Sequence, residues 1–360
     1  MVAQRRTEIN NGAAIESRYR WLRPLAAAAD DFANQARTLG TGERIYTGIA
    51  ALYQAMRGLA PRELMIVQGY AHSGKTLFVT EMLRHNKGRR IVMFTADEDR
   101  VLVLVKLTSL EHGVSAEELE YRIANGDTTA EELVRSTATE HFPNLVVFDD
   151  VAELRRMTEA LQECQDYWGA PADLVVFDYV GLLQNGDGEA GAVVGKIDAI
   201  KSWGKEQGVP LVAMHQSSRT KGTEGAEVTI DSGTHGGEQQ ATFVVGVRRK
   251  RDQYRAMIRD LEQRLNTQVN PSPRLDDLLA EARYDLARHQ DTITFNLVKN
   301  KRPPSRLVDD TDFRLDADTG RIAPVDMAFS STSEVDETFT PTVKYGLAAA
   351  QQQLPVEQEL

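Results

Sequence analysis

The stretch Gly69-Tyr-Ala-His-Ser-Gly-Lys-Thr76 follows the apolar run Leu64-Met-Ile-Val67 and precedes Leu77-Phe-Val-Thr-Glu-Met-Leu-Arg84. Glycines separated by four residues, then Lys-Thr, fit a loop whose backbone N–H groups curl around phosphate oxygens. A helix N-terminus directed at the anion adds its partial positive charge. A strand before the loop and a helix after it are the context this pattern needs. The reading is therefore a nucleotide-binding α/β protein, with Gly69, Ser73, Gly74, Lys75 and Thr76 as the phosphate cradle. The competing reading is an ordinary glycine-bearing turn.

Working outward, apolar runs alternate with helical stretches. Arg90-Ile-Val-Met-Phe-Thr95 ends beside the carboxylates Asp97 and Glu98, and Leu145-Val-Val-Phe148 and Leu174-Val-Val-Phe177 each run into an aspartate, Asp149 and Asp178. Val209-Pro-Leu-Val-Ala-Met-His215 and Thr242-Phe-Val-Val-Gly-Val247 follow the same style. Continuous Val/Leu/Phe runs indicate strands buried on both faces, hence a mostly parallel central sheet with helices on both sides. Either Asp149 or Asp178 fits a metal-side carboxylate on spacing alone. Ser115-Ala-Glu-Glu118 and Thr129-Ala-Glu-Glu132 read as capping boxes that start short helices.

At 360 residues and 41% hydrophobic content the chain can bury a large core. The formal net charge of −11 argues against a general basic coat for nucleic acid, though not against a local basic groove. A single cysteine, Cys164, excludes an intrachain disulfide and a thiolate metal cluster, and is read as a buried helix residue. No signal-peptide core or long apolar span occurs, so the expected location is cytoplasmic, with no membrane contact. His72 and His215 are read as packing or hydrogen-bonding residues. The expected organisation is an N-terminal arm and helix over 1–43, one nucleotide-binding domain over 44–325, and a disordered Ser/Thr/Glu/Gln-rich tail over 326–360. Within the domain, Tyr254, Met257, Ile258, Leu261 and Leu265 share one helical face, as do Leu275, Leu278, Leu279, Ala282 and Leu286, with Asn270-Pro-Ser-Pro273 between them. That pattern predicts an antiparallel helical hairpin inserted at 250–290. A terminal β-hairpin is expected to turn at Asp318-Thr-Gly320.

The order of these motifs resembles the RecA-like ATPase core of DnaB-type replicative helicases. Beyond the phosphate loop the likeness rests on Leu145-Val-Val-Phe-Asp-Asp150, on Asp173-Leu-Val-Val-Phe-Asp-Tyr-Val-Gly-Leu-Leu183, and on Val209-Pro-Leu-Val-Ala-Met-His-Gln-Ser-Ser-Arg219. It implies ATP and Mg²⁺ as cofactors, a RecA-like fold, and assembly into a homo-oligomer, a hexamer in ring form. Through it Asp178 becomes the aspartate that holds Mg²⁺ with Thr76, and Gln216 the sensor of the γ-phosphate. Lys75 is expected on the β- and γ-phosphates. The family's catalytic glutamate matches Asp97 without a gap, while Glu98 takes the place if the loop shifts by one. The family's Lys-x-Arg motif, which reaches into a neighbour's site, corresponds to Lys299-Asn-Lys301, with Arg302 next as the guanidinium that takes over the finger. Loops 184–196 and 217–237 are expected to face single-stranded DNA, the second offering Arg219, Lys221, His235, Gly236 and Gly237. Residues 1–43 are too short for the family's collar domain, so primase coupling through it is not expected, and the hairpin at 250–290 is the expected face for any replication partner. The implied function is an ATP-driven DNA helicase or translocase. Two alternatives stand beside it: a RecA-like recombination or annealing ATPase that coats single strands, and a nucleotide-gated assembly ATPase indifferent to DNA.

Overall fold

The computed structural model describes residues 25, 27–38, 44–151, 153–178, 180–182, 191–217, 225–229, 238–267 and 272–325. The tail expected beyond 325, most of the first expected DNA loop and most of the second lie outside these residues. The helix expected in the N-terminal arm is α1 (Ala27–Arg37), which belongs to a separate unit from the one running from Ile45 to Ser333.

Within the larger unit, α2 (Ala50–Met56) leads into β1 (Leu64–Gly69), α3 (Lys75–Arg84), β2 (Ile91–Thr95), α4 (Arg100–His112), α5 (Ala116–Ala124) and α6 (Thr128–Ser136). Next come β3 (Leu145–Phe148), α7 (Leu154–Trp168), β4 (Leu174–Asp178), α8 (Gly191–Gln207), β5 (Leu211–Gln216) and β6 (Phe243–Arg248). The chain then forms α9 (Lys250–Thr267), α10 (Pro273–Arg288), β7 (Thr292–Asn300), β8 (Val308–Leu315) and β9 (Ile322–Pro324). One sheet of nine strands runs β3-β2-β4-β5-β1-β6-β7-β8-β9. Every pair from β3 to β6 is parallel and the last three strands are antiparallel.

The continuous apolar runs are explained by burial on both faces. Alternate residues such as Met65, Val67, Val212 and Met214 pack with Phe78 and Met82 of α3 and Leu107 of α4. Their neighbours Leu64, Ile66, Leu211 and Ala213 pack with Leu161 and Cys164 of α7 and Ile200 and Trp203 of α8. Crossovers thus place helices on both sides, and the ends of five parallel strands, Gly69, Thr95, Asp178, Gln216 and Arg248, fall along one edge.

The helical hairpin is present, and Leu261, Leu279 and Ala282 bury against each other with Ile258, Leu265 and Leu275 beside them. Met257 and Leu278, read as part of the same stripes, remain 42% and 38% exposed and lie off this contact. One capping expectation is corrected. Ser115 does cap α5 by accepting from Glu118 N at 3.1 Å, but α6 starts one residue before Thr129, where the Asp127 carboxylate accepts from Thr129 N and Ala130 N. Asp127 also holds Arg122 at 2.8 Å, so it anchors two elements where a threonine would anchor one. Among the described residues no helix is long and apolar enough to cross a membrane.

Candidate functional site

The phosphate-loop pattern forms the connection between β1 and α3. Gly74 occupies the N-cap of α3 with φ +100°, and among the described residues no side chain caps the helix. Its first N–H groups are left to a ligand, as an anion site requires. The loop is also too tight for side chains at its glycines. A Cβ on Gly69 would overlap Ser73 Oγ and the Val247 carbonyl, and one on Gly74 would come within 2.5 Å of Ile293 Cδ1. Ser73 Oγ is buried without a partner among the described residues. Lys75 Nζ bends back to donate to the carbonyls of Gly69 at 3.2 Å and Tyr70 at 2.8 Å. Burial depresses its pKa to about 8, partly offset by Asp178 and Asp97.

Asp178 closes β4 one strand beyond β5, and is 7% exposed with Oδ2 lacking a partner among the described residues. Burial first, then the charges of Glu98 and Asp97, push its pKa up to about 7. Beside it Thr95, in register with Asp178, receives Glu98 N on its hydroxyl at 3.1 Å and donates to Glu98 O at 3.1 Å. That turn draws Glu98 inward, where Lys106 of α4 bonds Oε1 while Oε2 is buried without a partner. Asp97 is exposed. Gln216 stands in register with Gly69, and Ser217 N donates to the Gly69 carbonyl at 2.9 Å. One strand edge therefore gathers Lys75, Asp178, Glu98 and Gln216.

Oxygen-only ligands with two orphaned, buried carboxylate oxygens suit a hard divalent cation, and the uncapped helix start suits a phosphate chain. The residues present thus fit Mg²⁺ and a nucleoside triphosphate. Asp178 and, as the second residue of α3, Thr76 are the candidate protein groups for such an ion.

The basic residues near the end of β7 lie elsewhere. Asn300 pairs with Phe243 and Lys299 with Val244, at the end of β6 away from Gly69 and Gln216. Arg302 is committed within its own subunit. It ion-pairs with Glu63 through Nε at 2.8 Å and through Nη2, donates from Nη1 to Met56 O at 2.6 Å and Gly58 O at 2.9 Å, and stacks over Phe243. Acting as a finger would require it to break all of these contacts. Lys299 and Lys301 bond backbone carbonyls of the turn Glu238–Gln240, the first to Glu238 O at 2.9 Å and Gln239 O at 2.5 Å, the second to Gln239 O at 2.9 Å. Burial and the neighbouring Lys301 and Lys201 depress the Lys299 pKa to about 8.

Reading the sequence missed Lys106 and the turn at 238–240. The first could have been suspected from its place two turns into the helix that follows Glu98. The second has no local signature, because its carbonyls are met by Lys299 and Lys301 from the far end of β7, 61 and 62 positions along the chain. Arg219, Lys221, His235, Gly236 and Gly237, the expected DNA contacts, lie outside the described residues.

The profile of the DnaB-like helicase C-terminal domain matches residues 44–267. The chain belongs to that family. Among solved structures this DnaB-like chain is similar to the ATPase domain of G40P, at 12% identity and TM-score 0.63, covering 83% of this chain and 97% of that one. It is also similar to a DnaB-like replicative helicase described with its primase interactions, at 12% identity and TM-score 0.59, covering 78% of this chain and 63% of the other. At such identity these likenesses establish the fold, and the chain spans less than two thirds of that helicase. No curated protein matches the sequence. The family match ends inside the helical hairpin, so α10 extends beyond the part that this DnaB-like chain shares with the family profile.

Proposed function

We propose that this DnaB-like protein is an ATP-hydrolysing, ring-forming helicase or translocase that acts on single-stranded DNA. The observation that carries the reading is the division of the charged and polar site groups between two ends of one sheet. Lys75, Asp178, Glu98 and Gln216 stand at one end, and Lys299 and Lys301 at the other, which a single subunit cannot bring together.

In this mechanism the loop N–H groups and Lys75 hold the β- and γ-phosphates of ATP, and Lys75 leaves its two carbonyls to do so. Thr76 and Asp178 would hold Mg²⁺, which would supply neutralisation of phosphate charge. Glu98, held by Thr95 and Lys106, polarises the attacking water; Asp97, being exposed, tunes the field at Lys75. Gln216 senses the γ-phosphate from the end of β5 and passes its loss into the segment that follows. Lys299 and Lys301 reach the γ-phosphate of a neighbouring subunit, where an anion relieves the repulsion they share with Lys201. The ring of six follows from the resemblance, and the oligomer becomes part of the chemistry.

The test is ATP hydrolysis with and without single-stranded DNA, paired with unwinding of a forked duplex and a Lys75→Ala control. DNA-stimulated hydrolysis with strand separation is expected. Stimulation without separation indicates a strand-coating RecA-like ATPase, and no response to DNA indicates an assembly ATPase.

A further inference from the structure

Where β6 runs into α9 the chain places four basic residues in a row, Arg248 to Arg251. Two are neutralised, Arg248 by an ion pair with Asp310 and Lys250 by Asp312 Oδ2 at 2.8 Å. The others are treated differently. Arg249 Nη2 and Arg251 Nη1 both donate to the Gln290 carbonyl at 3.4 Å, and Arg255, one turn along α9, donates to Gln290 Oε1 at 3.3 Å. The carboxylates near them are Asp252, 3.5 Å from Arg251 Nε and 3.7 Å from Arg255 Nη1, and Asp291, which acts on Arg249 at longer range. Among the described residues, three guanidinium groups therefore share two carboxylates with the backbone carbonyl and the side-chain oxygen of Gln290, through long bonds.

Burial sharpens the imbalance. Arg249 is 6% exposed, and its Nε and that of Arg251 are both buried without a hydrogen-bond acceptor among the described residues. Desolvation and the neighbouring Arg251 lower the Arg249 pKa to about 10. A guanidinium is costly to bury unless it is paired, and its planar fork matches the oxygens of a phosphate. The cluster also stands at the first turn of α9, an 18-residue helix. A described piece of the second expected DNA loop packs against it. A Cβ on Gly225 would come within 2.6 Å of Arg249 O, so the short segment 225–229 sits on that first turn.

We propose that Arg249, Arg251 and Arg255 form a phosphate site that grips the backbone of single-stranded nucleic acid. The proposal rests on the reading of the protein as acting on single-stranded DNA. It adds a contact at the root of the helical hairpin, outside the two expected loops. The phosphates of a nucleotide share this chemistry, so the experiment separates the two sources.

The variant Arg251→Gln/Arg255→Gln leaves the buried Arg249 in place and changes side chains that are 24% and 43% exposed. In the full chain, the affinity of an oligo-dT is measured at several salt concentrations, with a fluorescent ADP as control. We expect about a tenfold loss of oligo-dT affinity, a salt slope shallower by roughly 0.7 to 1.4, and unchanged ADP affinity. Oligo-dT binding with wild-type affinity and slope overturns the proposal, and a loss confined to ADP reassigns the cluster to nucleotide. If the wild-type chain binds no oligo-dT, the helicase reading and the backbone assignment both fail. The anion site itself is then judged in a Lys75→Ala background. Thermal stabilisation by inorganic phosphate over chloride that disappears with Arg251→Gln/Arg255→Gln upholds the site, and equal stabilisation in both proteins rejects it.

Discussion

Replacing Asp178 by asparagine tests the electrostatics of the site without any assay of catalysis. The folded chain raises this carboxyl from 3.8 to about 7, chiefly by burial and then by Glu98 and Asp97. Above the unfolded value the unfolded chain releases the proton and the folded chain keeps it, so folding loses ground as pH rises from about 4 to about 7. A tenfold difference in proton affinity between the two states corresponds to about 1.4 kcal/mol, which makes the loss roughly 4 kcal/mol at pH 8. Lys75 titrates in a separate window, between about 8 in the folded chain and 10.5 unfolded, and its contribution changes above pH 8.

Chemical denaturation of the nucleotide-free protein in EDTA, at pH 5 and pH 8, measures the difference between wild type and Asp178→Asn. The difference should favour the variant by about 1.5 kcal/mol at pH 5 and by roughly 4 kcal/mol at pH 8. Saturating Mg-ATPγS should then reverse the order, because the wild-type carboxylate gains a cation and the amide does not. A variant less stable than wild type at pH 8 without ligand, or a difference that is flat from pH 5 to 8, refutes the reasoning. Asp178 would then be an ordinary buried carboxylate whose partners lie within the chain.

Four further outcomes follow from the same geometry. Glu98→Gln should lower the hydrolysis rate by about 10²- to 10⁴-fold with nucleotide affinity preserved, whereas Asp97→Asn should cost less than about tenfold, as a coupled-enzyme ATPase assay will show. Gly74→Ala, at φ +100° and against Ile293, should destabilise the chain by about 1–3 kcal/mol and abolish binding of a fluorescent nucleotide; retention of binding counts against the cradle. Arg302→Ala should destabilise the subunit by about 3–5 kcal/mol in urea, since it strands Glu63, while Lys301→Ala should leave stability within about 0.5 kcal/mol and stop hydrolysis in the assembled protein. Mixing Lys301→Ala with Lys75→Ala subunits should restore part of the hydrolysis.

What could be read in advance was local. The apolar runs of β1, β2, β4 and β5 could not be half-exposed strands, because they have no polar alternation, so the two-faced parallel sheet followed. The phosphate loop was legible because its glycines answer a steric demand set within eight residues. The different surroundings of Asp97 and Glu98 were not, because they depend on the Thr95 hydroxyl holding the Glu98 backbone and on Lys106 reaching from two turns into the next helix. The capping box at Thr129 misplaced the start of its helix, because the Asp127 carboxylate takes the first-turn N–H groups and is itself held by Arg122. Arg302 shows the same limit at longer range. As a sequence it is one more cation in a basic turn; its partner Glu63 stands 239 positions away, and only the sheet brings them together. Once that pair exists, the guanidinium is a brace between the start of β1 and the end of β7, while Lys299 and Lys301 beside it bond only uncharged backbone carbonyls.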